Sequence, residues 1–397
     1  MGNGHRLGAV DALRGAAILL VVAYHAGPLG FRPPPFDAAG GLILPSLGWP
    51  TWLLVPVLHF GYSGVHLFFV LSGFCIHLRA ARRGLGPAAP RLGLRDFFLR
   101  RFWRIYPPYW IALALFGVLV PSLARLAGRV VEAAGAGDLA LHALMLHTFS
   151  MRTIFSINPA FWSLATEEQF YLAYPIVLLA IGRFGVRRVL AAALVLSLAW
   201  RGALMWLLPP VPPTAERLME YRVWVHAFFA PRWFEWLLGC ALAEAVAAPA
   251  GATMARLRAR RGLVVVAGGL LLVGGMLCRL HVVADKLLAD GLLSSGYALL
   301  AAAWLAGSPS GRASRVGAWV TRALGAVGRR AYGIYLVHQP ILDGPALALG
   351  WRIALAGIAG VAFSAWCERP FERRSARVGR AAAPSPAAEP GDASAAP

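Results

Sequence analysis

The chain has 397 residues, of which 58% are hydrophobic and only 14% charged, with a mean hydropathy of +0.62; this balance excludes an ordinary soluble globular protein and defines an integral membrane protein. The formal charge of +20 would suit a nucleic-acid binder, but the arginines are spread over short segments between apolar runs, as the positive-inside rule requires, and form no basic domain. Cys75, Cys240, Cys278 and Cys367 lie in apolar segments without CxxC spacing, so neither a disulfide framework nor a cysteine metal site is expected.

The first apolar run, VDALRGAAILLVVAYHAG, carries Arg14 and His25 eleven residues apart. Ionisable groups are costly at that depth and read as functional. Eleven residues make almost three helical turns, so both side chains share one face, roughly 16 Å apart along the axis. A basic start followed by an apolar run is shared with signal peptides. Arg14 interrupts the run and no small-residue cleavage site follows, so it is read as a retained helix.

Runs long enough to cross a bilayer follow at 52–78, 104–123, 160–181, 188–208, 226–247, 263–281, 287–306, 332–349 and 351–367. Together with 9–27 they predict an all-α, polytopic integral membrane protein of about ten transmembrane helices. The shorter run LALHALMLHTF at 139–149, with His142 and His147, is expected to be re-entrant or interfacial. Arginine-rich segments at 79–104, 183–188, 256–261, 312–330 and 369–380 alternate with sparse ones holding Arg32, then Arg125, Arg129 and Arg152, then Arg217 and Arg222. That alternation predicts both termini on the cytoplasmic side of an inner or plasma membrane. Residues 1–380 are expected to form one transmembrane domain, and the Ala/Pro-rich stretch 381–397 a disordered cytoplasmic tail.

Polar residues inside these helices fall into two tiers. The outer tier holds His25 with Glu167 and Glu168 of FWSLATEEQFYLAYP; a carboxylate beside an imidazole would fix its tautomer and raise its basicity, so one of the glutamates is expected to orient His25. The inner tier gathers Arg14, the Ser72-Gly73 pair of FFVLSGF, Arg101 and Arg104 of RRFWRIYPPYW, Tyr332 and Tyr335 of AYGIYLVH, and Glu368 of ERPF. Arginines beside a cytoplasmic opening suit a phosphate-bearing ligand. His338 is placed one turn beyond Tyr335, Arg104 next to a break at Pro107-Pro108, and Arg201 is expected to snorkel outward. Arg232 and Glu235 form an i, i+3 pair. His59, His66 and His77 have no carboxylate or cysteine at ligand spacing, so no metal is expected.

Taken together, DALRG with its Arg14-to-His25 spacing, GVHLFFVLSGF, RRFWRIYP, WSLATEEQFY, RWFEWLLG, YGIYLVH and the closing ERPF resemble, in order from Asp11 to Phe371, the membrane-bound acyltransferase 3 family. The resemblance implies a ten-helix bundle that passes an acyl group, such as acetyl, from acyl-coenzyme A to a hydroxyl on a glycan, lipid-linked sugar or secondary metabolite such as a macrolide. No permanently bound cofactor is implied; acyl-coenzyme A is a co-substrate. Arg14 and His25 match the family's essential pair, and Glu167 matches the first glutamate of its WSL motif. Arg104 and Pro107 match its RIxP segment, Ser72 its SGF segment, and Tyr332, Tyr335 and His338 its SYxxYLxH segment. Two positions depart: Ala331 stands where serine is common, and His66 where an aspartate or other polar residue is common. His25, Glu167 and Glu168 are thus the candidate catalytic residues, and Arg14, Ser72, Arg101, Arg104, Tyr332, Tyr335 and His338 the candidates for holding the coenzyme. The competing classes are a transporter or flippase whose pathway these residues would line, and a subunit binding anionic lipid.

Overall fold

The computed structural model describes residues 3–26, 60–84, 93–129, 134–207, 224, 228–248, 252–280, 285–307, 315–344 and 348–378. The expected tail at 381–397, His59, and the loop arginines Arg32, Arg91, Arg217, Arg222 and Arg312 lie outside them. All regular structure among the described residues is helical. In chain order the helices are α1 (Asn3–Ala26), α2 (Gly64–Arg83), α3 (Leu94–Ala114), α4 (Val120–Leu126), α5 (Ala136–Ala143), α6 (Phe161–Phe184), α7 (Val186–Leu207), α8 (Trp233–Ala247), α9 (Ala252–Ala259), α10 (Arg261–Leu280), α11 (Asp285–Gly307), α12 (Arg315–Gly328), α13 (Ala331–Leu342), α14 (Leu349–Phe363) and α15 (Arg369–Arg377). Two π-helical turns, Leu115–Leu119 and Ser364–Glu368, join α3 to α4 and α14 to α15 without a loop.

Six helical stretches among the described residues are long and apolar enough to cross a membrane: Gly8–Ala26, Gly61–Arg83, Leu94–Leu126, Arg261–Cys278, Leu288–Gly307 and Leu349–Arg377. The other four runs expected to cross are helical as well but fall short in apolarity or length. In α6 the Glu167-Glu168-Gln169 triplet lowers the hydropathy; α7 carries Arg187, Arg188 and Arg201; α8 has 15 residues and α13 has 12. Lipid-facing character is plainest on α10, where Leu263, Val266, Leu270 and Leu277 are all more than half exposed. The run at 139–149 is a short helix, α5, followed by a 3-10 turn at His147–Phe149, too short to span. Helix α3 continues through Pro107 and Pro108, where the sequence suggests a break. The two prolines withdraw their own N–H donors from the ladder without ending the helix, and a π turn follows seven residues after Pro108.

Small residues let these helices meet backbone to backbone. A Cβ at Gly73 of α2 would fall 1.9 Å from the Trp236 carbonyl oxygen of α8, and one at Gly239 of α8 would fall 2.0 Å from that of Val70. On α1 and α12 the corresponding distances are 2.0 Å from Gly15 to the Leu324 oxygen and 1.7 Å from Gly328 to the Asp11 oxygen. Apolar lipid supplies little drive for helices to associate, so close van der Waals contact of this kind holds the bundle. The aromatic core, with Tyr109, Phe161, Phe170, Tyr174 and Trp236 fully buried, then fills the centre between α2, α3, α6, α8 and α13.

A second buried feature is ionic. Arg201 of α7 is 2% exposed and donates to Asp290 of α11 at 3.1 Å, while Arg232 donates to Glu235 at 2.7 Å; His66 lies 3.1 Å from the other Glu235 oxygen. Arg201 therefore does not snorkel: two guanidinium groups meet two carboxylates inside the bundle, and the match of charge makes burial tolerable. His66 sits in that network and not at a surface.

Candidate active site

A cavity of about 130 Å³ opens among α1, α2, α3, α6 and α13. These five helices each present a residue that the sequence singles out: Arg14 from α1, Ser72 from α2, Arg101 and Arg104 from α3, Glu167 from α6, and Tyr332 and Tyr335 from α13; Gly328 of α12 lines it as well. The π turn at Ser364–Glu368 adds Glu368. Three arginines and two glutamates thus line one space, and guanidinium groups so placed are suited to an anion. Phe68, Phe69, Leu71 and Leu164 supply the apolar lining.

The arginines are held differently. Arg14 donates to Cys75 Sγ at 3.3 Å and to Asp11 at 3.4 Å, and keeps 30% side-chain exposure. Arg101 lies with its guanidinium 5.8 Å from the centre of the Tyr171 ring. Arg104 is ion-paired with Glu372 of α15. Tyr332 donates to the Ile105 carbonyl at 2.9 Å, and Glu368 accepts the Gly333 backbone N–H at 3.2 Å, so α13, α3 and the π turn are tied at the cavity floor. Ala331 brings its methyl group to the same wall.

A directed chain of hydrogen bonds runs along the cavity wall. Tyr171 donates its single hydroxyl proton to Glu167, one turn earlier on α6. Its oxygen is 3.1 Å from Ser72 Oγ, so Ser72 is the donor in that contact, while the Trp236 indole N–H donates to Ser72 at 3.3 Å. The Ser72-Gly73 pair therefore does two jobs: serine faces the cavity and glycine makes the α2–α8 contact. Tyr171, Cys75 and Glu372 were not singled out from the sequence. The Glu167–Tyr171 spacing of four was the available signal for the first, whereas Cys75 and Glu372 gain their partners only through tertiary contacts.

His25 and His338 are not among the residues lining this cavity. They meet just beyond it: His338 Nε2 is 3.3 Å from His25 Nδ1, and the Tyr335 ring, part of the cavity wall, lies 5.3 Å from that of His338. The ring that faces His25 is thus an imidazole where the sequence suggests a glutamate. Glu167 is engaged by Tyr171, and Glu168, 7% exposed, is hydrogen-bonded to Tyr106. Among the described residues no group of three or more His, Cys, Asp or Glu side chains could hold a metal ion.

A membrane-crossing chain, helical in all the regular structure of its described residues, with an arginine-lined cavity among its helices belongs with membrane enzymes and carriers of anionic substrates. Residues 7–367 match the profile of a family described as an acyltransferase domain, and the chain belongs to that family. It is 26% identical over 347 residues to peptidoglycan O-acetyltransferase OatA of Listeria monocytogenes, covering 84% of this chain and 49% of that protein. It is 28% identical over 195 residues to acyltransferase MdmB of Streptomyces mycarofaciens, covering 48% of each. A putative peptidoglycan O-acetyltransferase, YrhL of Bacillus subtilis, is 29% identical over 244 residues, or 59% of this chain and 32% of that protein. The chain thus spans half or less of the length of these relatives. No solved structure matches it.

Proposed function

We propose that this protein is a multi-pass plasma-membrane O-acyltransferase, both termini cytoplasmic, that moves an acyl group such as acetyl from acyl-coenzyme A to a hydroxyl of a glycan, lipid-linked sugar or secondary metabolite. The observation that supports this most is that residues from segments spread between positions 14 and 368 line a single cavity with three arginines. In this reading the coenzyme phosphates meet Arg14, Arg101 and Arg104, whose charges a phosphate can engage bidentately. The pantetheine arm runs along the α1 face past Tyr335 towards His25. The roughly 16 Å rise from Arg14 to His25 matches an extended arm of that kind.

His25 takes the proton of the acceptor hydroxyl as that oxygen attacks the thioester carbonyl; the carbon–sulfur bond breaks, and the proton passes on to the departing thiolate. Glu167, through Tyr171 and Ser72, orders the polar wall along which the donor lies. Tyr332 and Tyr335 complete that wall.

Binding and turnover with radiolabelled acetyl-coenzyme A test the reading. Arg14→Ala is expected to weaken coenzyme binding about 10- to 100-fold, the loss of one charge-assisted contact. His25→Ala is expected to bind normally and transfer nothing. Equal loss of affinity in both variants would contradict the division of labour. Absence of any acyl transfer by the intact protein would favour a carrier. The acceptor would emerge from mass spectrometry of envelope glycans and exported metabolites, as one acyl mass missing from a His25→Ala strain.

A further inference from the structure

The two histidines that meet beyond the cavity can be assigned proton by proton. His25 Nδ1 lies 2.9 Å from the Val21 carbonyl oxygen, and His338 Nδ1 lies 2.8 Å from that of Tyr335. A carbonyl oxygen only accepts, so each Nδ1 carries a hydrogen, and in each neutral ring Nε2 carries the lone pair. The 3.3 Å contact between His338 Nε2 and His25 Nδ1 then has a single direction: His25 donates and His338 accepts. The rings stand at 60° with their centroids 5.0 Å apart, an edge-on arrangement compatible with that bond.

We infer that His338 is the positioning residue for His25: it accepts the Nδ1–H that the Val21 carbonyl also accepts, holds the imidazole in one orientation, and leaves Nε2 as the nitrogen that receives the acceptor's proton. The inference rests on the proposed role of His25 as base. It moves His338 out of the coenzyme-holding set, because both of its ring nitrogens are committed, one to the Tyr335 carbonyl and one to His25. It also replaces the expected carboxylate partner with a neutral one. His338 is fully buried, and an acceptor without charge supports the imidazolium formed during transfer without adding an ion to the bundle.

The position of His338 is in turn over-determined. Its own ring is tied to the Tyr335 carbonyl, and the Tyr335 hydroxyl is 2.6 Å from Ser163 Oγ on α6. The chain Ser163, Tyr335, His338, His25 therefore links α6, α13 and α1. Support of this kind is what keeps a base within hydrogen-bonding reach of a substrate proton.

Ring-labelled histidine NMR on the full chain in nanodiscs tests the assignment directly, with the His25 signals identified by their loss in His25→Asn. The expected result is His25 in the Nδ1–H form, His338 unprotonated at Nε2, and a shift of the His25 ring signals in His338→Leu. Finding the His25 proton on Nε2, or His25 signals indifferent to His338→Leu, would overturn the inference. With acetyl-coenzyme A as donor, His338→Leu is expected to lower kcat roughly tenfold or more, the worth of a hydrogen bond to a charged group, while KM for the donor changes by less than about twofold. His338→Gln, whose amide oxygen reaches the same position, should recover most of the rate. Equal losses in the Leu and Gln variants, or a loss confined to KM, would count against it. If His25→Ala retained full turnover, the proposed base would be wrong, whereas the NMR result would still decide the pairing.

Discussion

Tyr335 Oη and Ser163 Oγ lie 2.6 Å apart, and both residues line the cavity beyond which His25 and His338 meet. Removing the hydroxyl in Tyr335→Phe leaves Ser163 its second partner, the Ala160 carbonyl at 3.3 Å, and takes one hydrogen bond, worth about 1 kcal/mol, from the support of His338. Turnover of acetyl-coenzyme A is expected to fall by about fivefold, the rate equivalent of one net hydrogen bond. A hundredfold fall would assign the hydroxyl to the chemistry instead.

Cys75 offers a chemical view of the coenzyme site. Its sulfur lines the cavity and accepts from Arg14, whereas Cys240 is fully buried. Coenzyme A occupying the arginine-lined space should slow alkylation of Cys75 by a maleimide, followed by peptide mass spectrometry. Adenosine, which lacks the phosphates, should not. Protection by both alike would argue against phosphate recognition at Arg14.

The backbone contact at Gly73 predicts a sharp contrast between two glycines. Gly73→Ala puts a methyl group 1.9 Å from the Trp236 oxygen and is expected to destabilise the bundle by about 1–3 kcal/mol or prevent assembly, as overpacking does. Gly182→Ala, on α6 with nothing within 4 Å of its new methyl group, should be neutral or stabilising by up to about 1 kcal/mol. Thermal unfolding in detergent measures both. Equal midpoints would remove the packing role assigned to Gly73.

A pH effect is expected at the short segment outside the crossing helices. His142 and His147 stack with ring centroids 3.9 Å apart and planes 5° from parallel, both fully buried. Burial holds both below the ordinary histidine value, and for His147 burial and the neighbouring His142 charge bring it from 6.5 to about 3. The unfolded chain therefore binds more protons in that window, so stability is fully present above about pH 6.5 and declines as pH falls towards 3. His147→Phe keeps the stack and removes the proton site, and its unfolding midpoint should depend less on pH. An unchanged slope would show that other groups dominate acid stability.

What could be read in advance follows from how far apart the partners stand in the chain. Arg14, Ser72, Arg104 and Glu167 were legible because a buried ionisable or small polar residue in an apolar run is conspicuous by itself. The His25–His338 contact joins residues 313 positions apart, and nothing local in either helix signals the other. Arg201 was misread for the same reason: its partner Asp290 is 89 residues away, so local context left only the water-seeking conformation. The i, i+3 pairing of Arg232 with Glu235 was visible, but its burial beside His66 depended on how α2 and α8 cross. For crossing helices, the ten apolar runs are all helical in at least part, yet polar triplets and short length leave six among the described residues that meet the requirement outright.

Helices that touch through bare backbone leave nothing to repack between them, and this has a practical meaning for anyone wishing to retune the protein. Gly15, Gly73, Gly239 and Gly328 are fixed points, because any side chain there displaces a main-chain oxygen. Val65, Phe68 and Ala331 present side chains to the cavity instead. Substitutions at those three positions can enlarge, narrow or polarise the space while the frame stays as it is, so donor preference is open to redesign from inside a scaffold that does not have to be rebuilt.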